Sequence, residues 1–293
     1  MDAAFACIAG EEVHRLRESG RFEGDIIAAR QTPFGPSEEM VLVSDSTTPY
    51  YLLPRYGLAP RKRPAVAINS RANVYALKDL GVAAIIDVAP TSAITHTHSV
   101  GDMDLCGDLL DRTYIRGKTF FEQSPLGFLR QFPVFCPRLG RIATEALSEL
   151  GVTFHTGATA AVMEGPRLEM PAEVRAMARH GVDTVAHSFV PEIYLSRELE
   201  MCYHAMGYIV NYAETGSRYR PFKPGALFGG LEHNVDQQRL DRTLDQLATV
   251  VGKIADGIAS AAPCECEKAQ ASNIADYDYP ADWRQWFTDS ATD

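Results

Sequence analysis

Two glutamates side by side, Glu11 and Glu12, close the short apolar run 3–10 and are the first residues whose type and position invite chemistry. Two carboxylates there suit the acidic first turn of a helix, which the helix dipole favours. They also repel any anion brought beside them. Further on, Thr95-His96-Thr97-His98 places two imidazoles at i and i+2. No Cys or acid stands at ligand spacing, so a metal is a weak reading beside a solvated loop or a substrate contact. Arg61-Lys62-Arg63 is a basic run that suits a solvated loop or a grip on an anionic substituent. Cys7, Cys106, Cys136, Cys202, Cys264 and Cys266 stand mostly singly among apolar neighbours, which fits reduced, buried thiols in a cytoplasmic protein. The pair Cys264-Glu265-Cys266 is the exception.

These side chains need strands and helices to hold them. Residues 3–10, 39–44, 49–54, 82–90, 183–189 and 202–212 have the apolar character of strands, and 152–163 of strand structure. Helical spacing with closing glycines marks 11–20, 69–81 and 138–151, and further helices are expected at 172–180, 192–199 and 237–260. Strands alternating with helices predict an α/β fold with a mixed or parallel sheet covered on both faces. Ligands in such folds sit beyond the carboxyl ends of strands. The loops to inspect are therefore 9–12, 55–63, 89–98, 164–171, 186–192 and 210–217. Residues 213–234 form a long Gly-, Pro- and aromatic-rich loop, and 263–293 a polar acidic tail, partly disordered, with Trp283 and Trp286 docking on the body.

The chain has 293 residues, 46% of them hydrophobic, enough for one full core over 1–262. A net charge of −10 argues against nucleic-acid binding, which needs a basic surface, and against adhesion to an anionic membrane. No apolar run has the roughly 18 residues of a membrane span, and the acidic start does not resemble a signal peptide.

Seven segments in this order carry a resemblance: Thr32-Pro-Phe-Gly35, Asn73 with Ala76-Leu-Lys78, Gly101-Asp102, Asp111-Arg-Thr113, Phe135-Cys-Pro137, Glu164-Gly-Pro-Arg167 and Val190-Pro-Glu192. Together they resemble the trimeric nucleoside phosphorylases, with 5′-methylthioadenosine phosphorylase as the nearest branch, over residues 3–262. The resemblance implies an α/β fold around a mixed, barrel-like sheet flanked by helices. It implies ribosyl transfer from a purine nucleoside to phosphate, no metal and no organic cofactor. It also implies a homotrimer in which the segment around Phe128 closes a neighbour's site. Leu126, Phe128, Leu129, Phe132 and Phe135 are too apolar for a free surface loop, which agrees.

The base end of the family site is matched by Leu168, in place of an aromatic residue, then Glu169, and by Asn211. Glu169 and Asn211 resemble the set that reads a 6-oxopurine: a Glu accepts from N1–H, and an amide donates to the charge that develops at O6 and N7. Read without the family, they are a solvated loop acid and a strand-end turn residue. His187 stands where the family has a sugar-contacting Met, and Ser188 keeps the hydroxyl that follows. Leu240 and Leu244 fall on the helix that lines the 5′ pocket and favour a 5′-deoxy or alkylthio group.

The phosphate end departs. Where the family cradles phosphate with Gly-Gly-Thr/Ser-Gly, this chain has Ala9-Gly10-Glu11-Glu12; Arg55-Tyr56 replaces Arg-His, and Val88 replaces a Thr. A Glu about 4 Å from phosphate costs about 4 kcal/mol per pair of unit charges at an effective dielectric of 20. The related nucleosidases carry a Glu-rich stretch here, one acid of which deprotonates water, and Glu11-Glu12-Val13 looks similar. The expected activity is thus cleavage of a purine nucleoside, with water preferred to phosphate. A phosphorylase acting on purine nucleosides, methylthioadenosine or thioinosine is the first alternative. A scaffold repurposed for nucleoside binding or other chemistry is the second. Cys264-Glu-Cys266 resembles a C-terminal CxC that forms a disulfide in some heat-stable members; in a reducing cytoplasm two surface thiols are expected.

Overall fold

The computed structural model describes residues 4–58, 64–213 and 234–291. In chain order the strands are β1 (Phe5–Ala9), β2 (Gly24–Ile27), β3 (Gln31–Thr32), β4 (Gly35–Pro36), β5 (Met40–Val43), β6 (Tyr50–Pro54), β7 (Ala84–Ala93), β8 (Met103–Arg112), β9 (Phe154–Met163), β10 (Thr184–Ala186) and β11 (Cys202–Tyr212). The helices are α1 (Glu12–Glu18), α2 (Ser70–Asp79), α3 (Pro137–Glu149), α4 (Pro171–Arg179), α5 (Glu192–Glu198), α6 (Asn234–Ser260) and α7 (Ala271–Tyr277).

Among the described residues, nine strands form one mixed sheet in the order β10-β9-β8-β11-β7-β1-β6-β5-β2. β10 pairs with β9 and also, antiparallel, with β7, so the strands from β7 to β10 close on themselves as a barrel. The expected mixed, barrel-like sheet flanked by helices is the fold observed. Side-chain alternation sorts the central strands onto two cores. Phe5, Cys7, Ala84, Ile86 and Val88 pack with α1, α3 and α6, whereas Ala6, Ile8, Ile85 and Ala89 pack with α2 and α5. Asp87 shares the second face and is fully buried.

Three features differ from the sequence reading. β8 was not expected, and neither were β2 and the β3–β4 hairpin. β8 carries three aspartates, a glycine and two register shifts, so it lacks the alternation that marks a strand. Residues 152–163 hold a single strand, β9. Among the described residues after 262 the chain is folded rather than partly disordered, with α7 and a 3₁₀ stretch (Trp283–Ala291). Trp286 is buried and donates its indole N–H to the Pro280 carbonyl. Trp283 meets Tyr75 edge-on, and Gln270 donates to the Leu126 and Glu198 carbonyls. No described helix is long and apolar enough to cross a membrane.

Candidate active site

Gly10 follows β1, which pairs with β6 and β7, and lies beside Pro90 of β7 and Tyr208 of β11. Glu11 is the exposed N-cap of α1, and Glu12 lies in its first turn, as the dipole favours. The Glu12 side chain does not run out into solvent. A Cβ on Gly10 would stand 3.2 Å from Glu12 Oε2, 3.3 Å from Pro90 and 3.7 Å from the Tyr208 hydroxyl. Glycine therefore leaves the room in which this carboxylate folds back over the strand ends. Burial pushes the Tyr208 phenol well up, and the neighbouring Glu12 adds to the shift. Burial also raises the Tyr56 phenol, with Arg55 opposing and Glu11 reinforcing. Two acids and two phenols thus stand near one another after β1.

Arg55 faces the other way. Its guanidinium donates to Asp87 Oδ1 and Oδ2 at 2.5 and 2.6 Å and to Glu192 Oε1 at 2.5 Å. All three side chains are at most 3% exposed. The Tyr203 hydroxyl donates to Asp87 at 2.7 Å, and the Ser70 hydroxyl to Glu192 at 2.9 Å. Burial alone would lower the Arg55 pKa; Asp87 and Glu192 override it and hold the cation charged. The arginine expected to contact substrate is thus committed to two internal carboxylates. Val88 is buried within β7.

The base-end residues are brought closer than the sequence suggests. His187 Nε2 lies 2.9 Å from Glu169 Oε1, so the two form a pair. A Cβ on Gly165, whose φ is +70°, would stand 3.0 Å from the His187 ring, so glycine lets the 164–169 loop close on His187. Asn211 is buried, and its side-chain oxygen has no hydrogen-bond partner among the described residues. The β11–β7 register shifts between Ile209 and Asn211, and a bulge of this kind re-aims a side chain. Ser188 is buried next to His187, and Leu168 is half-buried. An unsatisfied buried carbonyl oxygen costs about 1–3 kcal/mol and is a natural acceptor for a ligand's N–H or O–H.

Other candidates fall elsewhere. Leu240 and Leu244 are buried in the first core, on α6. Phe128 is 90% exposed and Phe132 77%, while Leu126 and Phe135 are buried. Arg61-Lys62-Arg63 and nearly all of the 213–234 loop lie outside the described residues. A cavity of about 140 Å³ lies on the side of Glu169 facing Arg112, Tyr114 and Met177 and does not include His187 or Asn211. A larger hollow, about 570 Å³, lies between residues 129–138 and 263–269.

The histidine loop needs correction. His96 is exposed, but His98 is buried, not solvated: its Nδ1 lies 3.3 Å from Asp104 Oδ1. Its ring stacks on His155 at 3.9 Å and 22°, and His155 in turn pairs with Asp102, which Arg239 also holds. One ligand atom each of His98, Asp104 and His155 lies within 4.8 Å of the others. Burial works against the His98 cation, but Asp104 prevails and raises its pKa. The stabilisation is therefore full below the ordinary histidine pKa and is lost as pH rises through the elevated folded value. Unfolding free energy should fall over that interval by about 1.4 kcal/mol for each pH unit of displacement measured by NMR titration. Asp104→Asn should remove this slope; an unchanged slope would refute the pair.

Three site residues escaped the sequence reading. Asp87 had a signal: a lone acid in a buried strand must be paired. Arg116 had none. It is buried and donates to the carbonyls of Met163, Glu164, His187 and Val190 and to the Glu164 carboxylate, tying both base-side loops together. Phe189 holds φ at +80°, rare for a bulky residue, between Ser188 and Glu192. Its full burial and the Tyr203 hydroxyl on its carbonyl hold that strain in place.

The model of the phosphorylase superfamily matches residues 4–254. The chain is 31% identical to an S-methyl-5′-thioadenosine phosphorylase of Thermofilum pendens, over 62% of this chain and 69% of that one. It is 32% identical to a probable 6-oxopurine nucleoside phosphorylase of Moorella thermoacetica, over 74% and 80%. In fold it is similar to a methylthioadenosine phosphorylase from an antarctic soil metagenomic library: TM-score 0.79 and 23% identity, over 91% of this chain and 90% of that one.

Proposed function

The chain belongs to the phosphorylase superfamily, and on that premise we propose that it cleaves the N-glycosidic bond of a purine nucleoside, with a 6-oxopurine as the base and water preferred to phosphate as nucleophile. The observation that carries the choice of nucleophile is the inward commitment of Arg55 to Asp87 and Glu192, with Glu12 folded over Gly10. A carboxylate there repels phosphate and suits the deprotonation of water as it attacks an oxocarbenium-like C1′. Glu12 is the general base of this reading, and Glu11 an outer carboxylate acting on Tyr56.

On the leaving side, Glu169 holds N1–H of the base. Asn211 donates its side-chain N–H to the charge that grows at O6 and N7. His187 braces Glu169, Ser188 faces the sugar, and Leu168 covers the base. An apolar 5′ group, deoxy or alkylthio, is proposed on the apolar Leu240 and Leu244. The outward Phe128 and Phe132 support a homotrimer in which Phe128 reaches a neighbour's site. The division into a catalytic domain, 1–262, and a tail, 263–293, is part of the same proposal, as is a cytoplasmic location.

Phosphorolysis is the second reading, and the names of the relatives favour it. A scaffold turned to another use is favoured by the loss of the stacking aromatic at Leu168. The buried Asn211 side-chain oxygen, which has no partner among the described residues, supports a retained ligand site against it. The test is incubation with inosine, guanosine, adenosine and their 5′-methylthio forms, with and without phosphate. The 6-oxopurine substrates should lead by about tenfold or more in kcat/KM, since a mispaired buried edge costs about 1–3 kcal/mol. Free base and free sugar should appear without phosphate. A preference for adenine nucleosides removes the base assignment, and strict phosphate dependence removes the nucleophile assignment.

A further inference from the structure

Four cysteines that are far apart in sequence converge at one point. Cys136 is the N-cap of α3, Cys202 opens β11, and Cys264 and Cys266 flank Glu265 just after α6. Their sulfurs all lie within 4.8 Å of one another, and none is in a disulfide. Cys264 Sγ is 3.1 Å from Cys202 Sγ and 3.7 Å from Cys136 Sγ. This corrects the expectation of thiols standing singly, with the Cys264/Cys266 pair on the surface.

From this geometry we infer that Cys136, Cys202, Cys264 and Cys266 form a tetrathiolate site for one zinc ion. Zinc–sulfur bonds of about 2.3 Å in a tetrahedron put the sulfurs about 3.7–3.8 Å apart. Two disulfides would instead require two separate pairs, each bonded at about 2.05 Å. Here no pairing is singled out, because Cys264 approaches two partners at once. Four sulfur ligands in a tetrahedral array select zinc over the hard, oxygen-seeking cations.

The surroundings fit the charge. A zinc ion replaces four thiol protons, which leave to solvent, and the four thiolates with the ion carry a net charge of −2 with no change of oxidation state. Arg138 donates to Cys202 Sγ at 3.2 Å, and Arg197 lines the same hollow. The Cys266 amide donates to Cys264 Sγ at 3.4 Å, the outer-shell hydrogen bond that thiolate sites carry. The same arginines hold the flanking chain: Arg138 donates to the Ala262 carbonyl, and Arg197 to those of Arg130, Pro133 and Val134. The ion would join the body to the segment after α6 and brace the loop that carries Phe128.

The experiment is metal analysis of the full chain, expressed with zinc supplied and purified without chelator. One zinc per chain is expected, released by a thiol-specific mercurial. Cobalt(II) exchanged into the site should show thiolate-to-metal charge transfer and the intense visible bands of a tetrahedral centre. Cys264→Ser with Cys266→Ser should lose the zinc and lower Tm while keeping the far-ultraviolet circular dichroism of the native fold. Glu265→Gln should keep the metal. If the double variant does not fold, the stoichiometry and cobalt spectrum of the unaltered chain decide. A metal-free chain overturns the inference, whether it has four titratable thiols or a mass lowered by the hydrogens that disulfides lose and restored by reductant.

Discussion

Replacing Arg55 with Met should destabilise the protein by about 3–5 kcal/mol, because it leaves two carboxylates buried with no cation to balance them. Asp87 is fully buried and Glu192 is 3% exposed. Their remaining partners are hydroxyls, from Tyr203 and Ser70, which solvate a charge but do not neutralise it. Burial already pushes the Asp87 carboxyl up, with Arg55 opposing it. Without the arginine, the acid must either take up a proton or remain charged in a dry core. A loss of this size corresponds to a fall in Tm of roughly 5–8 °C for a chain of this length. Adding Asp87→Asn to Arg55→Met should recover part of it, since one of the stranded charges goes. Thermal unfolding of the single and double variants measures both effects. If Arg55 instead gripped phosphate, the single change would raise the KM for phosphate and leave Tm nearly unmoved.

That contrast marks where the sequence was legible. The strands that announce themselves do so by unbroken apolar runs: β1, β7 and β11 are buried along most of their length and were placed within a few residues. From the end of β1, the position of Glu11 and Glu12 at the start of the first helix followed directly. β8 was missed because only its first four residues are buried and its aspartates hide the alternation. The direction of the Arg55 side chain was not legible either. It depends on Asp87, 32 residues away, and Glu192, 137 residues away, arriving at the same point. The same holds for His98, whose partner Asp104 sits on the unrecognised strand. It holds for the cysteines, which three elements bring together. Periodicity reports which face of an element is apolar. It does not report which polar side chains meet across the core, and those meetings decide whether a charged residue serves the site or the fold.

Glu12→Gln should lower kcat by about 10²–10⁴-fold, about 3–5 kcal/mol in activation free energy, with little change in substrate affinity. The amide keeps the shape of the carboxylate and its place over Gly10, but it cannot accept the proton of an attacking water. Glu11→Gln should cost far less, since Glu11 is exposed at the helix N-cap whereas Glu12 turns in beside Pro90 and Tyr208. The asymmetry is the informative part. If the two acids were only the favoured first turn of a helix, each change would remove a few tenths to about 1 kcal/mol of stability and leave turnover intact. Product analysis separates the remaining possibility. Hydrolysis releases free ribose without phosphate, and the Gln variant loses that activity. Phosphorolysis yields the sugar 1-phosphate only when phosphate is present. In that case, replacing Glu12 with a neutral amide removes a repulsion of about 4 kcal/mol per unit charge at 4 Å and an effective dielectric of 20, and the KM for phosphate falls. The two mechanisms thus predict opposite signs for one substitution: activity collapses if Glu12 is the base for water, and improves at low phosphate if Glu12 only obstructs an anion.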